Sequence, residues 1–176
     1  MIVPPSHRSG SLAPAVPGYS IFGRCWEDTI SITFKGLHVT SNNPVFIRMT
    51  KVRRTDIARP SPLRQDFEIS RKTNVKAILR PLDYTKVDGV EYVVLPNNGT
   101  QPLAELLLQR RLSFVDSLTL LIEIANKIGE IHQDGIVHGN INSNSMFVFP
   151  PLRSLITDFT NRPTKALISP KILKRL

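Results

Sequence analysis

Residues 136–160 read IVHGNINSNSMFVFPPLRSLITDFT, and the fold turns on what this stretch becomes. Ile136-Val137 is apolar enough for a short strand leading into a loop, and the loop from His138 to Ser145 is crowded with Asn and Ser. Met146 to Phe149 and Leu155 to Thr157 follow as apolar runs of strand length. The predicted arrangement is therefore strand, polar loop, two further strands, and then an acid. A loop held between strands and closed by Asp is a common way to set polar groups over a phosphate and its metal. Here the loop supplies amides and hydroxyls, and Asp158 is its only carboxylate.

Upstream, the pattern of the chain divides in two. Tyr19 to Arg24 and Thr29 to Lys35 alternate as paired strands joined by CWED, and PVFIRMT (Pro44 to Thr50) has the β-branched and aromatic content of a third. A basic connector follows. Ser61 to Thr73 predicts a helix, with Ser61 as N-cap and Pro62 at the first helical position, where its missing N–H is not needed. Ala77 to Val87 and Glu91 to Pro96 flank Asp88-Gly89 and predict a hairpin, giving five strands and one helix by Pro96.

After the polar linker at 97–100 the periodicity changes. Leu103, Leu106 and Leu107 mark a short helix. A long one follows, capped by Ser113 with Asp116 in the capping-box position. Its apolar stripe is read as Leu118, Leu121, Ile122, Ala125 and Ile128, and Gly135 sits just beyond its end. The fold class is α+β, with a leader at 1–17 rich in Pro and Ser, a first unit at 18–96 and a second at 101–176.

The bulk properties agree with one ordinary domain or a piece of a larger protein. The 176 residues are 41% hydrophobic, enough for a core. A single cysteine, Cys25, excludes an internal disulfide and fits a reducing, cytoplasmic setting. No run approaches the roughly 18 apolar residues of a membrane helix. The net charge of +9 is unevenly placed: ten Lys or Arg lie between Arg48 and Arg80 against Asp56, Asp66 and Glu68, and acids outnumber bases from Pro81 to Asp158. A basic cluster can attract nucleic acid, anionic lipid or an acidic partner. Phe67 is the one aromatic residue after Arg48 within this cluster, too few to interleave with it, which argues against base stacking and for a solvated face.

The ordered series of elements and motifs resembles the N-terminal lobe and the start of the C-terminal lobe of a eukaryotic-type protein kinase, over roughly residues 18 to 160. PVFIRM is similar to the strand that carries the ATP-binding lysine, with Arg48 in its place. Asp66 falls where the family has its helix glutamate, and Leu95 falls at the gatekeeper. HGNINSNS resembles the H-R-D-x-K-x-x-N catalytic loop, and DFT resembles D-F-G. Phrases such as PVFIR, LAELL and IANKIGEIHQDGIVHGNIN look most like the kinase-like domain at the N-terminus of large hybrid sensor histidine kinases, which implies a place in a phosphorelay. The resemblance implies a five-stranded antiparallel lobe with one helix, a truncated helical lobe, and Mg-ATP as cofactor, bound by Arg48, Asp66 and Leu95 with the metal on Asp158.

The catalytic parts are degenerate. The loop aspartate that orients the substrate hydroxyl is Asn140, whose uncharged amide cannot act as a carboxylate base. That change alone removes a contribution of about 10² to 10⁴ in rate. The loop lysine is Asn142, and the metal-binding asparagine is Ser145, a shorter ligand. The glycine-rich loop is FGRCWEDT, with one glycine, a bulky Trp26, and two acids that repel phosphate; it reads as an ordinary hairpin turn packed by tryptophan. His138 is expected to brace the loop, and His7, His38 and His132 have no partner at metal-ligand spacing. Gly139 replaces the arginine that reads an activating phosphate in many relatives.

Two expectations remain. Arg48 and Asp66 keep the summed length of the family's Lys–Glu pair, so a direct bridge between them is expected, against the alternative of two charges pointing elsewhere. LISPK, at 167–171, faintly resembles the element closing an activation segment, with Lys171 in the glutamate's place. The later helices of a kinase are missing, so the chain is expected to be a fragment, a truncated product, or a module completed by another domain. The expected function is a catalytically impaired regulatory or scaffold module in a signalling protein, with other signalling domains or the remainder of its own lobe as partners. A weak ATP-dependent Ser/Thr kinase and a basic binding module for nucleic acid or anionic lipid are the alternatives.

Overall fold

The computed structural model describes residues 15–52 and 61–159. The predicted first part of the leader, part of the basic connector, and LISPK with Lys171 lie outside these residues. Val16, assigned to the leader by sequence, is buried against Val45, Ile47, Tyr92 and Val94.

Five strands form one antiparallel sheet: β1 (Tyr19–Glu27), β2 (Ser31–His38), β3 (Pro44–Thr50), β4 (Asp83–Val87) and β5 (Val90–Pro96), in the order β1-β2-β3-β5-β4. The β1–β2 turn falls at Asp28, three residues later than its predicted start, because β1 continues through Trp26 to pair with Thr33. The β4–β5 hairpin closes on Asp88 and Gly89, with φ of 50° and 80°. Two consecutive positive φ angles match the twist of flanking strands, which is why Asp-Gly serves there.

The strand predicted from Ala77 begins only at Asp83. Pro81 has no N–H to give to a ladder. Instead Ala77–Leu79 runs beside a second sheet: Leu79 N–H donates to Ile156 O at 2.8 Å, and Ile156 N–H donates to Ala77 O at 2.8 Å. That sheet has three strands, β6 (Gln101–Pro102), β7 (Met146–Phe149) and β8 (Arg153–Ile156). Ile136-Val137, predicted as a strand, belongs to neither sheet. Ile136 N–H instead returns to Ile131 O at 3.1 Å, and Gly135 at φ 72° closes the preceding helix.

There are three helices among the described residues: α1 (Pro62–Lys72), α2 (Leu103–Gln109) and α3 (Phe114–Gln133). Ser61 Oγ accepts from Arg64 N–H at 3.0 Å, and Ser113 Oγ accepts from Asp116 N–H at 3.0 Å, so both predicted caps operate. No helix among the described residues is long and apolar enough to cross a membrane.

Of the predicted apolar stripe of the long helix, only Ile128 packs against the core. Leu120, Ile124 and Ile131 face the core, whereas Leu118, Leu121 and Ile122 are 50%, 63% and 54% exposed. Both rows recur at helical spacing, because apolar residues take up more than one side of this helix. Periodicity identifies the helix but cannot choose between two such rows. The neighbours decide: Leu120 and Ile124 pack with Leu106, Met146 and Val148, and Ile131 packs with Ile156 and Phe159.

Successive residues of β3 feed opposite faces of the large sheet, as the period of two requires. Val45 and Ile47 join the cluster with Val16, and Phe46 joins Leu63, Leu79, Val93, Leu95 and Phe147 on the other side. Arg48 is on this second face, directed at the junction of the two sheets.

Candidate functional site

Arg48 is only 5% exposed, so the burial of its charge has to be matched by partners. Three are present. Its Nε–H donates to Ser31 Oγ at 2.7 Å. One terminal nitrogen meets Asp28 Oδ2 at 2.5 Å, and the other meets Asp158 Oδ1 at 2.7 Å. The guanidinium thus joins the β1–β2 turn to the residue just after β8. A lysine has one terminal nitrogen and could not span the two carboxylates in this way.

Asp28 is itself fixed by the turn. Its Oδ1 accepts from the Ile30 and Ser31 amides at 2.8 and 2.7 Å, and Oδ2 accepts from Ser31 Oγ at 2.8 Å. Burial alone would raise the Asp28 pKa; Arg48 and these hydrogen bonds outweigh it and hold the carboxyl below its ordinary value. Sequence reasoning saw in Asp28 only a charge that repels phosphate. The signal available was the Asp-x-x-Ser spacing, which suits a side-chain-capped turn.

The expected direct bridge between Arg48 and Asp66 is replaced by a different arrangement. Asp66, from α1, is 3% exposed and its Oδ1 accepts from Phe159 N–H at 2.8 Å. Its carboxylate therefore holds the backbone after Asp158, and Arg48 reaches it only through space. The shorter aspartate leaves the guanidinium to the two acids that do meet it. Burial pushes the Asp66 carboxyl up to about 6, against the pull of Arg48 and of the Phe159 and Asp158 amides. For Arg48, burial opposes the charge, but Asp158, Asp28 and Asp66 together raise its pKa further.

The polar loop is built from its own side chains. His138 is 1% exposed; its Nδ1 accepts from Asn140 N–H at 3.1 Å, so Nε2–H is the donor to Thr157 O at 2.7 Å. Its ring lies 4.6 Å from that of Phe159. Asn140 Nδ2–H donates to Asp158 Oδ2 at 2.9 Å. Asn142 Oδ1 accepts from the Asn144 and Ser145 amides, and its Nδ2–H donates to Asn140 O at 2.9 Å. Ser145, fully buried, donates to Asn140 O and Asn142 O at 3.0 and 2.9 Å. Asp158 adopts φ 70°, a conformation that short polar residues tolerate better than most.

Leu95 is 2% exposed and lies in the core beside Phe46. Next to it is a feature that sequence reasoning missed. The rings of Trp26, Phe46 and Phe147 pack edge-to-face as a triangle, with centroids 5.3 to 5.7 Å apart. One comes from each of β1, β3 and β7, so the triangle fills the space between the two sheets. Residues at such distances in sequence carry no local signal of their contact.

An open cavity of about 310 Å3 remains between Asp28 and Ile30 on one side and Asn140, Asn142, Asn144 and Asp158 on the other. Its polar lining is committed in large part to internal hydrogen bonds. Among the described residues no three His, Cys, Asp or Glu side chains converge as a metal site would require. Among the described residues of the basic cluster, Arg64 and Lys72 lie near Glu68, Arg71 lies 5.4 Å from the centre of the Phe67 ring, and Arg80 donates to Thr73 O at 2.9 Å. Burial pushes the Cys25 thiol up to about 11, which keeps it protonated and poorly nucleophilic. No family model matches the chain, and no curated protein matches it.

Proposed function

We propose that this chain is a protein-kinase-like module in which the polar side chains of the nucleotide and metal site are engaged by one another. It acts by binding and positioning within a signalling protein, not by phosphoryl transfer. The observation that carries this reading is the double engagement of Asp158: Arg48 takes one carboxylate oxygen and the Asn140 amide takes the other. A divalent metal would need those oxygens, and it would be repelled by a guanidinium already in contact with them.

The other residues assigned to Mg-ATP fit it no better. Ser145 spends its hydroxyl on the loop backbone, Leu95 abuts the aromatic triangle, and the β1–β2 turn brings Asp28 to the place where phosphate would need donors. Asn140 is unable to accept a hydroxyl proton as a carboxylate would. Binding as the output is supported by α3, which shows Phe114, Val115, Leu118, Leu121 and Ile122 to solvent in one patch-forming helix. That face suits another signalling domain or the remainder of a kinase-like lobe.

The test is thermal unfolding of the purified chain with and without Mg-ATP, paired with transfer of radiolabel from the γ-phosphate to protein. A ligand raises the melting temperature of the state it binds. The expected result is no shift and no transfer. A dose-dependent rise, or turnover at an ordinary kinase rate, overturns the reading.

A further inference from the structure

We infer that Arg48 is the resident cation of this site, a positioning residue whose planar guanidinium latches the β1–β2 turn onto the Asp158 segment and holds the closed arrangement without a ligand. The inference rests on the closed-site reading of the same residues and adds to it a role for one group.

Three observations carry it. First, Asp28, Asp66 and Asp158 all act on one buried cation, so the charge at Arg48 is what lets these carboxylates sit together. Removing one partner of such a group leaves the others buried and unpaired, which is far more damaging than losing a surface pair. Second, the contacts match the fork of a guanidinium: Nε on Ser31, one terminal nitrogen on Asp28 and the other on Asp158. Among the described residues no three His, Cys, Asp or Glu side chains converge to hold a metal ion in its place. Third, the elements joined are remote in sequence. Asp28 belongs to the edge hairpin of the large sheet, Asp158 follows β8 of the small one, and the cavity between the turn and the Asn-rich loop opens beside this link.

A latch of this kind makes a specific demand on shape as well as charge. Arg48→Ala should leave a space lined by the oxygens of Asp28, Ser31 and Asp158 that a small guanidinium fits. The experiment measures the melting temperature of Arg48→Ala with ethylguanidinium or ethylammonium at equal, non-denaturing concentration, beside the wild-type protein. Amide exchange of Ile30, Ser31 and Asn140 is followed in the same samples. The expected result is a lowered melting temperature and faster exchange at those amides in Arg48→Ala, both restored in part by ethylguanidinium alone, with no gain in the wild type. Equal effects of the two cations, or none, overturn the inference. If Arg48→Ala does not fold, recovery of helical circular dichroism on adding ethylguanidinium supports the latch, and failure to recover counts against it. Arg48→Lys, which keeps charge and most of the volume, provides the second arm: faster exchange at Ile30 and Ser31 with α3 unchanged is expected, and unchanged exchange overturns the inference. The two readings fail separately, because binding of Mg-ATP by the wild type overturns the closed site whatever the guanidinium result.

Discussion

Asp66 offers the sharpest test of the electrostatics at the sheet junction. Its carboxyl is pushed up to about 6 by burial in the folded protein, whereas an unfolded aspartate has a value of about 3.9. The folded state therefore holds this proton more tightly than the unfolded chain does. Below about pH 4 both states are protonated and the group's full stabilising contribution is present. As pH rises through about 6 the buried carboxyl must ionise, and the contribution is lost. At about 1.4 kcal/mol for each tenfold change in proton affinity, the loss is on the order of 3 kcal/mol. Asp66→Asn keeps an oxygen to accept from Phe159 N–H and removes the ionisation. Urea unfolding of both proteins, followed by the emission of Trp26, the single tryptophan, gives the difference in stability at each pH. That difference should move in favour of Asp66→Asn by about 2 kcal/mol between pH 4.5 and 7. Asp28, held below its ordinary value, has the opposite slope but is common to both proteins and cancels. A difference that stays flat across this window, or that moves in favour of the wild type as pH rises, would refute the reasoning.

Two further outcomes follow from the same contacts. Asn140→Asp replaces the amide donor to Asp158 Oδ2 with a second carboxylate at about the same distance; a stability loss of about 1 to 3 kcal/mol is expected in urea, and a radiolabel assay should show no phosphoryl transfer gained. On α3, Ile122→Glu should leave the free energy of unfolding in urea within about 0.5 kcal/mol of wild type, whereas Ile124→Glu should prevent folding by circular dichroism; equal effects would mean that the buried face has been misassigned.

How far the sequence reveals the molecule depends on the range of the interaction concerned. Caps, turns and hairpins are local, so Ser61, Pro62, Ser113 and Asp88-Gly89 announce their roles directly. Where a choice depended on distant partners, local pattern misled. The apolar row at Leu118, Leu121 and Ile122 is as periodic as the buried row, and only the placement of Met146 and Ile156 decides which one faces inward. Ala77 to Leu79 has strand character, but its hydrogen bonds go to β8 and not to the hairpin. The candidate site divides in the same way. The residues Arg48, Asp66, Asn140 and Asp158 could be picked out, and they do assemble at one junction. Their pairing could not be picked out, because a guanidinium chooses among all acids within reach, and Asp28 stood outside the set considered.

The composition of the site makes its substitutions depend on one another. Arg48 stays buried only because Asp28 and Asp158 both meet it, and Asp28 is held there by three hydrogen bonds of its own turn. The second oxygen of Asp158 then requires a donor, which an amide at position 140 provides and a carboxylate cannot. With the turn drawn down to Arg48, the ring of Trp26 packs on Phe46 and Phe147, and the gap between the sheets is closed by side chains. A carboxylate at position 140 would accordingly set a charge against Asp158 without freeing its other oxygen from Arg48 or emptying the aromatic triangle. Freeing the Asp158 oxygens would need simultaneous changes on β3 and in the loop, since Arg48 holds one and Asn140 the other. Coupling of this kind makes substitutions at the junction non-additive, because each single change meets partners arranged for the residues already there.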